Sequence, residues 1–83
     1  MIQAITDLLK RQDSPEVLVL SILLNDIEGS LNGGTITQHE YAELMVDVER
    51  LKTIIALKNN LELNKMIHDA VVGLIELAKM VKL

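Results

Sequence analysis

The chain has no cysteine, no tryptophan and no phenylalanine, and Tyr41 is its only aromatic residue. Without thiols it can form no disulfide and can present no thiolate to a metal or a substrate. A single ring offers almost no platform on which nucleic-acid bases could stack. Together with a net charge of −4, these absences argue against disulfide-stapled scaffolds, cysteine chemistry and nucleic acid as a partner.

Long hydrophobic runs are also missing. No unbroken apolar run is longer than the four residues from Val17 to Leu20, and bridging Ser21 extends it only to Leu24. A membrane-spanning helix needs about 20 predominantly apolar residues. The first residues also lack the charged head and apolar segment of a secretory signal. We therefore expect a cytoplasmic protein with no membrane partner.

What the chain does have is an excess of aliphatic residues for its size. Its 83 residues predict one domain, yet 49% of them are hydrophobic and the mean hydropathy is +0.30. A domain this small buries a modest core and is only marginally stable alone. The excess of apolar residues indicates that part of it is covered by a partner.

The strongest apolar pattern lies in residues 61–83, where fourteen of 23 residues are apolar. A helix that is apolar around most of its circumference must be covered on most sides. Because the rest of the chain is short, we expect a second copy to provide the cover, in a homodimer or higher oligomer. The predicted oligomer interface follows the seam formed by Leu63, Ile67, Ala70, Leu74, Leu77 and Val81.

Apolar spacing and capping residues predict helices over about 2–12, 15–28, 37–58 and 61–82. Ser14 and Pro15 suit the cap and first position of the second helix. Thr37 and Glu40 have the spacing of a capping box at the start of the third. Three glycines within residues 29–34 predict the intervening loop. The expected fold is all-α: two short N-terminal helices packed on a long C-terminal helix or helical pair.

The segment around Asn59 and Asn60 allows two structures. Both residues are poor helix formers and could make a tight turn between two antiparallel helices. Alternatively, Ile55, Asn59 and Leu63 keep one face in register across a single helix of about 45 residues, roughly 68 Å long at 1.5 Å per residue. No glycine or proline lies between Thr35 and Val72, which favours continuity or a mild kink through the asparagines.

Charge is divided unevenly along the chain. Residues 1–49 hold nine acidic and two basic residues, whereas residues 50–83 hold three acidic and six basic ones. This division can arise from two unrelated solvated faces. It can also mean that the two halves face each other within or between chains. The six basic residues are spread out, which is not typical of a nucleic-acid interface.

Two groups of residues have spacings that could form metal sites. If the glycine-rich segment were a calcium loop, its first three ligand positions would be Gly29, Leu31 and Gly33, and none has a side-chain oxygen. His39, Glu43 and Asp47 follow one another at intervals of four and could hold a divalent metal on one helix face, although a solvated acidic face on an amphipathic helix is the simpler explanation. His68 is far away in sequence. We expect no metal, no cofactor and no catalytic residue, and a metal-dependent function remains the third hypothesis.

Residues 34–44 have the pattern G-x-I-T-x-x-E-Y-x-x-L. This pattern resembles the helix start found in short helical accessory proteins encoded by tailed bacteriophages. The resemblance implies a small accessory protein without enzymatic activity that acts by binding, and it assigns no functional residue. We therefore expect a non-enzymatic protein-interaction module, such as an adaptor or inhibitor, that works as a homo-oligomer. The alternative is a structural or assembly component, such as a scaffold or chaperone of a larger particle.

Overall fold

A computed structural model describes residues 2–11 and 14–81, and within these ranges the chain forms four α-helices and no strand. They are α1 (Gln3–Leu9), α2 (Pro15–Gly33), α3 (Gln38–Ala56) and α4 (Leu61–Val81). The predicted all-α class is confirmed. The predicted helix limits at residues 12 and 82 lie outside the described residues. None of the four helices combines the length and apolar content needed to cross a membrane.

The helices alternate in direction, as two ion pairs between elements show. Arg11 follows α1, and its Nη1 lies 3.4 Å from Oε1 of Glu62 in the first turn of α4. Lys58 follows α3, and its Nζ lies 3.5 Å from Oε2 of Glu16 in the first turn of α2. The ends of α1 and α3 therefore meet the starts of α2 and α4 at one end of the molecule. Helix α2 contacts all three other helices.

The core is made mainly by α2 and α4. Helix α4 supplies six buried hydrophobic residues and α2 supplies five, whereas α1 and α3 supply two each. The buried side of α2 follows the spacing of four, three and four that places residues on one helix face: Leu20, Leu24, Ile27 and Leu31. Helix α4 is thus covered by α2 and α1 of the same chain.

The start of α1 is fixed at the opposite end of the molecule by two contacts of Ile2. Its backbone N–H donates to Oε2 of Glu28 at 2.6 Å, and Glu28 is buried. Its side chain lies against Gly73 of α4, where an added Cβ would meet Ile2 Cγ2 at 2.9 Å. Gly73 therefore allows the chain to approach α4 closely, and Glu28 satisfies an N–H that would otherwise be unpaired.

The prediction that the second helix ends at residue 28 was wrong. Helix α2 continues to Gly33, because Leu31 extends its buried side and is itself fully covered. It ends where Gly34 adopts a left-handed conformation, with φ of 66°. The N–H of Gly34 then donates to Leu31 and that of Thr35 to Ser30, which is the Schellman pattern of helix ends. The Ser14 cap is present, with its Oγ accepting from Val17 N at 3.3 Å.

The preference for a continuous helix through Asn59 was also wrong. Helix α3 ends at Ala56, and Asn59 has a left-handed backbone with φ of 55°. Asparagine tolerates this conformation better than most residues because its short polar side chain can bond locally. Asn60 then starts α4, since its Oδ1 accepts from Leu63 N at 3.0 Å. The two asparagines thus turn the chain back on itself, as the alternative hypothesis described.

The two asparagines should respond differently to substitution. Asn60→Ala removes the acceptor for an N–H at the start of α4 and should lower the free energy of unfolding by about 1 kcal/mol. Asn59→Gly keeps the left-handed conformation without strain and should change it little. Denaturant unfolding of both variants tests this assignment, and equal effects at the two positions would contradict it.

The core position of Leu74 gives a second prediction. Leu74→Ala should lower the free energy of unfolding by about 2–5 kcal/mol, because it leaves a cavity between helices. The exposed neighbour Ile75 provides the control, and Ile75→Ala should cost far less. The loss at Leu74 should be the same at dilute and concentrated protein, since the packing lies within one chain. A loss seen only at high concentration would instead place Leu74 between chains.

Candidate protein-binding surface

The structure places most of the predicted oligomer interface inside the chain's own core. Leu63, Ile67, Ala70 and Leu74 are 0–1% exposed, Leu77 is half-buried, and Val81 is 37% exposed. The first four side chains are therefore out of reach of a second copy while the helices stay packed. The sequence indicated that α4 needs cover, but α1 and α2 provide it at these positions.

The apolar residues that the fold leaves uncovered lie elsewhere. Eleven large hydrophobic side chains of the described residues are more than a third exposed. They fall on the N-terminal half of α2, the outer side of α3 with the following turn, and the outer side of α4. They are Leu18, Val19, Ile22, Val46, Ile54, Leu57, Leu61, Val72, Ile75, Met80 and Val81.

One of these areas forms an open depression on α3. We call it the α3 face and define it by its lining residues, which all come from this helix: Ala42, Met45, Val46, Glu49, Arg50, Thr53 and Ile54. They recur at intervals of three and four along three turns of helix, and their side chains share one side of it. Leu57, in the turn that follows, extends the same line and is 79% exposed.

Helix α3 is consequently apolar on two sides. Its inner side carries Val48 and Ile55 into the core, with Tyr41, Leu44 and Leu51 partly buried beside them. The sequence pattern identified this inner stripe and missed the outer one. A signal existed, since Ala42, Val46 and Leu57 form a second apolar line, but Glu49 and Arg50 interrupt it and make it resemble a solvated face.

The two charges at the middle of the α3 face have few partners within the chain. Among the described residues, the Glu49 carboxylate forms no ion pair, and Arg50 Nη1 lies 3.8 Å from Asp47 Oδ1. A side-chain pair this exposed contributes little to stability. Thr53 donates its hydroxyl to the Glu49 carbonyl at 2.9 Å, so its donor is already used. The face therefore presents an exposed acid and an exposed base between apolar side chains.

The start of α3 is fixed by the predicted capping box, which is present. Glu40 N donates to Thr37 Oγ1 at 3.1 Å, and Thr37 N donates to Glu40 Oε1 at 3.0 Å. Ile36 and Tyr41, at the staple positions, are both partly buried against the core. The N–H of Thr37, followed by its hydroxyl, lowers the pKa of Glu40. Burial raises the pKa of Tyr41.

The residues weighed as metal ligands are only partly brought together. His39 Nε2 lies 2.6 Å from Glu43 Oε1 on the exposed side of α3, whereas Asp47 is directed toward Arg50. His68 is exposed on α4. Over residues 2–11 and 14–81, no group of three or more His, Cys, Asp or Glu side chains is arranged to hold a metal ion. Residues 29–33, the first five positions of the hypothetical calcium loop, are helical.

Among the described residues, two ion pairs between distant parts of the chain join the halves of unlike charge, one in the expected sense and one in the opposite sense. Glu16 and Lys58 join the acidic half to the basic half, and the N–H of Glu16 and then Lys58 lower the pKa of Glu16. Arg11 and Glu62 join them with the charges reversed. Neither pair is deeply buried, so each contributes modestly to stability.

No protein-family model, curated protein or solved structure matches this chain. The resemblance of residues 34–44 to bacteriophage accessory proteins stays a prediction. The chemistry of the chain's own surface is what bears on its function. That surface includes several exposed aliphatic areas, of which the α3 face combines an apolar line with two opposite charges.

The capping box gives a pH-dependent prediction. Glu40 has its pKa lowered below the ordinary 4.5 in the folded protein, so its stabilising contribution is present above pH 4.5 and is lost as the pH falls through the folded value. Glu40→Gln keeps a hydrogen-bond acceptor without the charge. Thermal unfolding should therefore show a larger difference between wild type and Glu40→Gln at pH 7 than at pH 3. A difference that does not change with pH would contradict the role of the carboxylate.

Proposed function

We propose that this chain is a non-enzymatic protein-interaction module that works as a helical homo-oligomer. The observation that carries the proposal is the set of eleven exposed large hydrophobic side chains left after the core has closed. Contiguous apolar areas on a small protein are typical of interaction sites. Burying such side chains against another protein contributes a hydrophobic gain of about 25 cal/mol per Å² removed from water, which offsets part of the cost of association.

The composition of the α3 face supports binding over catalysis. Four of its seven lining residues are aliphatic or methionine, and its polar groups are one carboxylate, one guanidinium and one hydroxyl. A catalytic site needs several polar groups that converge on a reacting atom in an enclosed space. Glu49 and Arg50 instead stand on an open helix face without converging on one point, which suits recognition of a complementary surface.

A structural or assembly component is the second candidate, and the distribution of the exposed residues favours it. They lie on α2, α3 and α4, so a single interface would leave other apolar areas uncovered. A component of a larger particle contacts several neighbours and uses more than one face. An adaptor or inhibitor that closes as a dimer needs fewer interaction faces.

Sedimentation of the purified chain tests the proposal and separates the two candidates. The 9.3 kDa chain should sediment as a species of higher mass at tens to hundreds of micromolar. A dimer that saturates with concentration supports a closed interaction module, whereas an open series of larger species supports an assembly component. A mass of 9.3 kDa throughout this range would overturn the homo-oligomer.

A further inference from the structure

We propose that the α3 face binds the α3 face of a second copy of this chain, with the two α3 helices parallel. A twofold axis would run along the helices between the copies. This inference rests on the proposed homo-oligomer and assigns its interface and its geometry. Two opposite charges flank the apolar line on this helix, and their positions support this geometry.

The α3 face has an apolar centre and one charge on each flank. At 3.6 residues per turn, each residue advances about 100° around the helix. Ala42, Val46, Thr53 and Leu57 then fall within an arc of about 60°. Glu49 lies about 50° to one side of the middle of that arc, and Arg50 lies about 50° to the other. The two charges stand at nearly the same height, one residue apart.

Symmetry then decides which charges meet. In a parallel twofold pair, each flank of one helix faces the opposite flank of its partner, so Glu49 meets Arg50 on both sides of the seam. In an antiparallel twofold pair, each flank faces its own equivalent, so Glu49 meets Glu49 and Arg50 meets Arg50. Like charges in contact are unfavourable and opposite charges favourable. The charge pattern is therefore self-complementary only in the parallel arrangement.

The most exposed apolar side chains agree with this arrangement. Leu57 is 79% exposed and Leu61, four residues later, is 85% exposed. A parallel pair brings the same end of both molecules together, and with it these exposed leucines of both copies. An antiparallel pair would separate the leucines of one copy from those of the other by about the length of the α3 face.

The other exposed apolar areas lack this pattern. On α2, the exposed polar neighbours of Ile22 are Asn25 and Asp26. Only Asp26 is charged, so these two residues provide negative charge alone. On α4, at about 100° per residue, Glu76 and Lys79 both fall within the arc between the exposed Ile75 and Met80, so they interrupt the apolar side chains instead of flanking them. The α3 face alone among these three areas sets an acid and a base on opposite flanks of an apolar line.

The size of the face sets the strength to expect. From Ala42 to Leu57 it is about 22 Å long, and a contact along one helix of this length buries less than the roughly 800 Å² per partner of a standard interface. The dimer should therefore dissociate in the micromolar range or above. Experiments at tens to hundreds of micromolar should populate it.

The position of the interface is tested with a matched pair of substitutions. Val46 and Val19 are the same residue type with similar exposure, 50% and 54%, but only Val46 lies on the α3 face. Val46→Glu places a carboxylate in the apolar seam of both copies and should weaken dimerisation about tenfold or more, whereas Val19→Glu should weaken it less than twofold. Equal effects, or a Val46→Glu dimer as strong as wild type, would overturn this interface while leaving the homo-oligomer standing. Circular dichroism at low concentration checks that both variants stay helical.

The parallel geometry is tested by reversing the charges. Glu49→Arg and Arg50→Glu should each weaken the dimer, by about fivefold or more, because two opposite-charge contacts become like-charge contacts. The double variant, with both substitutions, should restore wild-type dimerisation. Single reversals that leave dimerisation unchanged would indicate the antiparallel pair and overturn the proposed geometry.

Cross-linking gives an independent measure, since the chain has no cysteine of its own. In the parallel pair, position 53 lies beside its own equivalent, so Thr53→Cys should form an intermolecular disulfide when oxidant is added. In the antiparallel pair, the two positions would be about 10 Å apart along the helices, beyond the reach of a disulfide. Val19→Cys controls for random collision. A Thr53→Cys yield no greater than that of Val19→Cys would overturn the parallel contact.

Discussion

The packing of α4 against α2 and α1 is the contact on which the rest of the structure depends. Helix α4 brings six hydrophobic residues into the core, more than any other helix, and it cannot expose them without a large loss of free energy. Helix α2 covers it with the side that begins at Val17 and extends to Leu31. Helix α1 adds Ile5 and Leu8, and Ile2 reaches Gly73 because no side chain stands in its way.

This packing explains why helix starts could be predicted from the sequence and helix ends could not. A start is fixed by local bonds, such as those of Ser14 to Val17 and of Thr37 to Glu40, and the sequence shows them directly. The end of α2 depends on the burial of Leu31, which outweighs the low helix propensity of Gly29. The break at Asn59 likewise depends on α4 returning to cover α2. The spacing of apolar residues is compatible with one helical stripe that continues through Asn59. It cannot show where the chain folds back.

The same limit applies to the candidate surface. Amphipathic spacing showed that Leu63, Ile67, Ala70 and Leu74 must be covered, and they are. It could not show which element covers them, because α1 and α2 offer apolar sides that fit as well as a second copy would. The outer side of α3 was missed for the opposite reason. In the sequence, Glu49 and Arg50 separate the members of this apolar line. Only the position of Val48 and Ile55 in the core shows that the line lies on the outward side of α3.

Helix α3 therefore occupies a special place in the energetics of the fold. Only Val48 and Ile55 of this helix are fully buried, and an exposed capping box and a two-asparagine turn hold its ends. A helix with so small an inner contact gains stability when its outer side is also buried. A partner that binds only the folded chain raises stability by mass action. Association through the α3 face would thus stabilise the least anchored long helix of the bundle, and folding and assembly would be coupled through the same element.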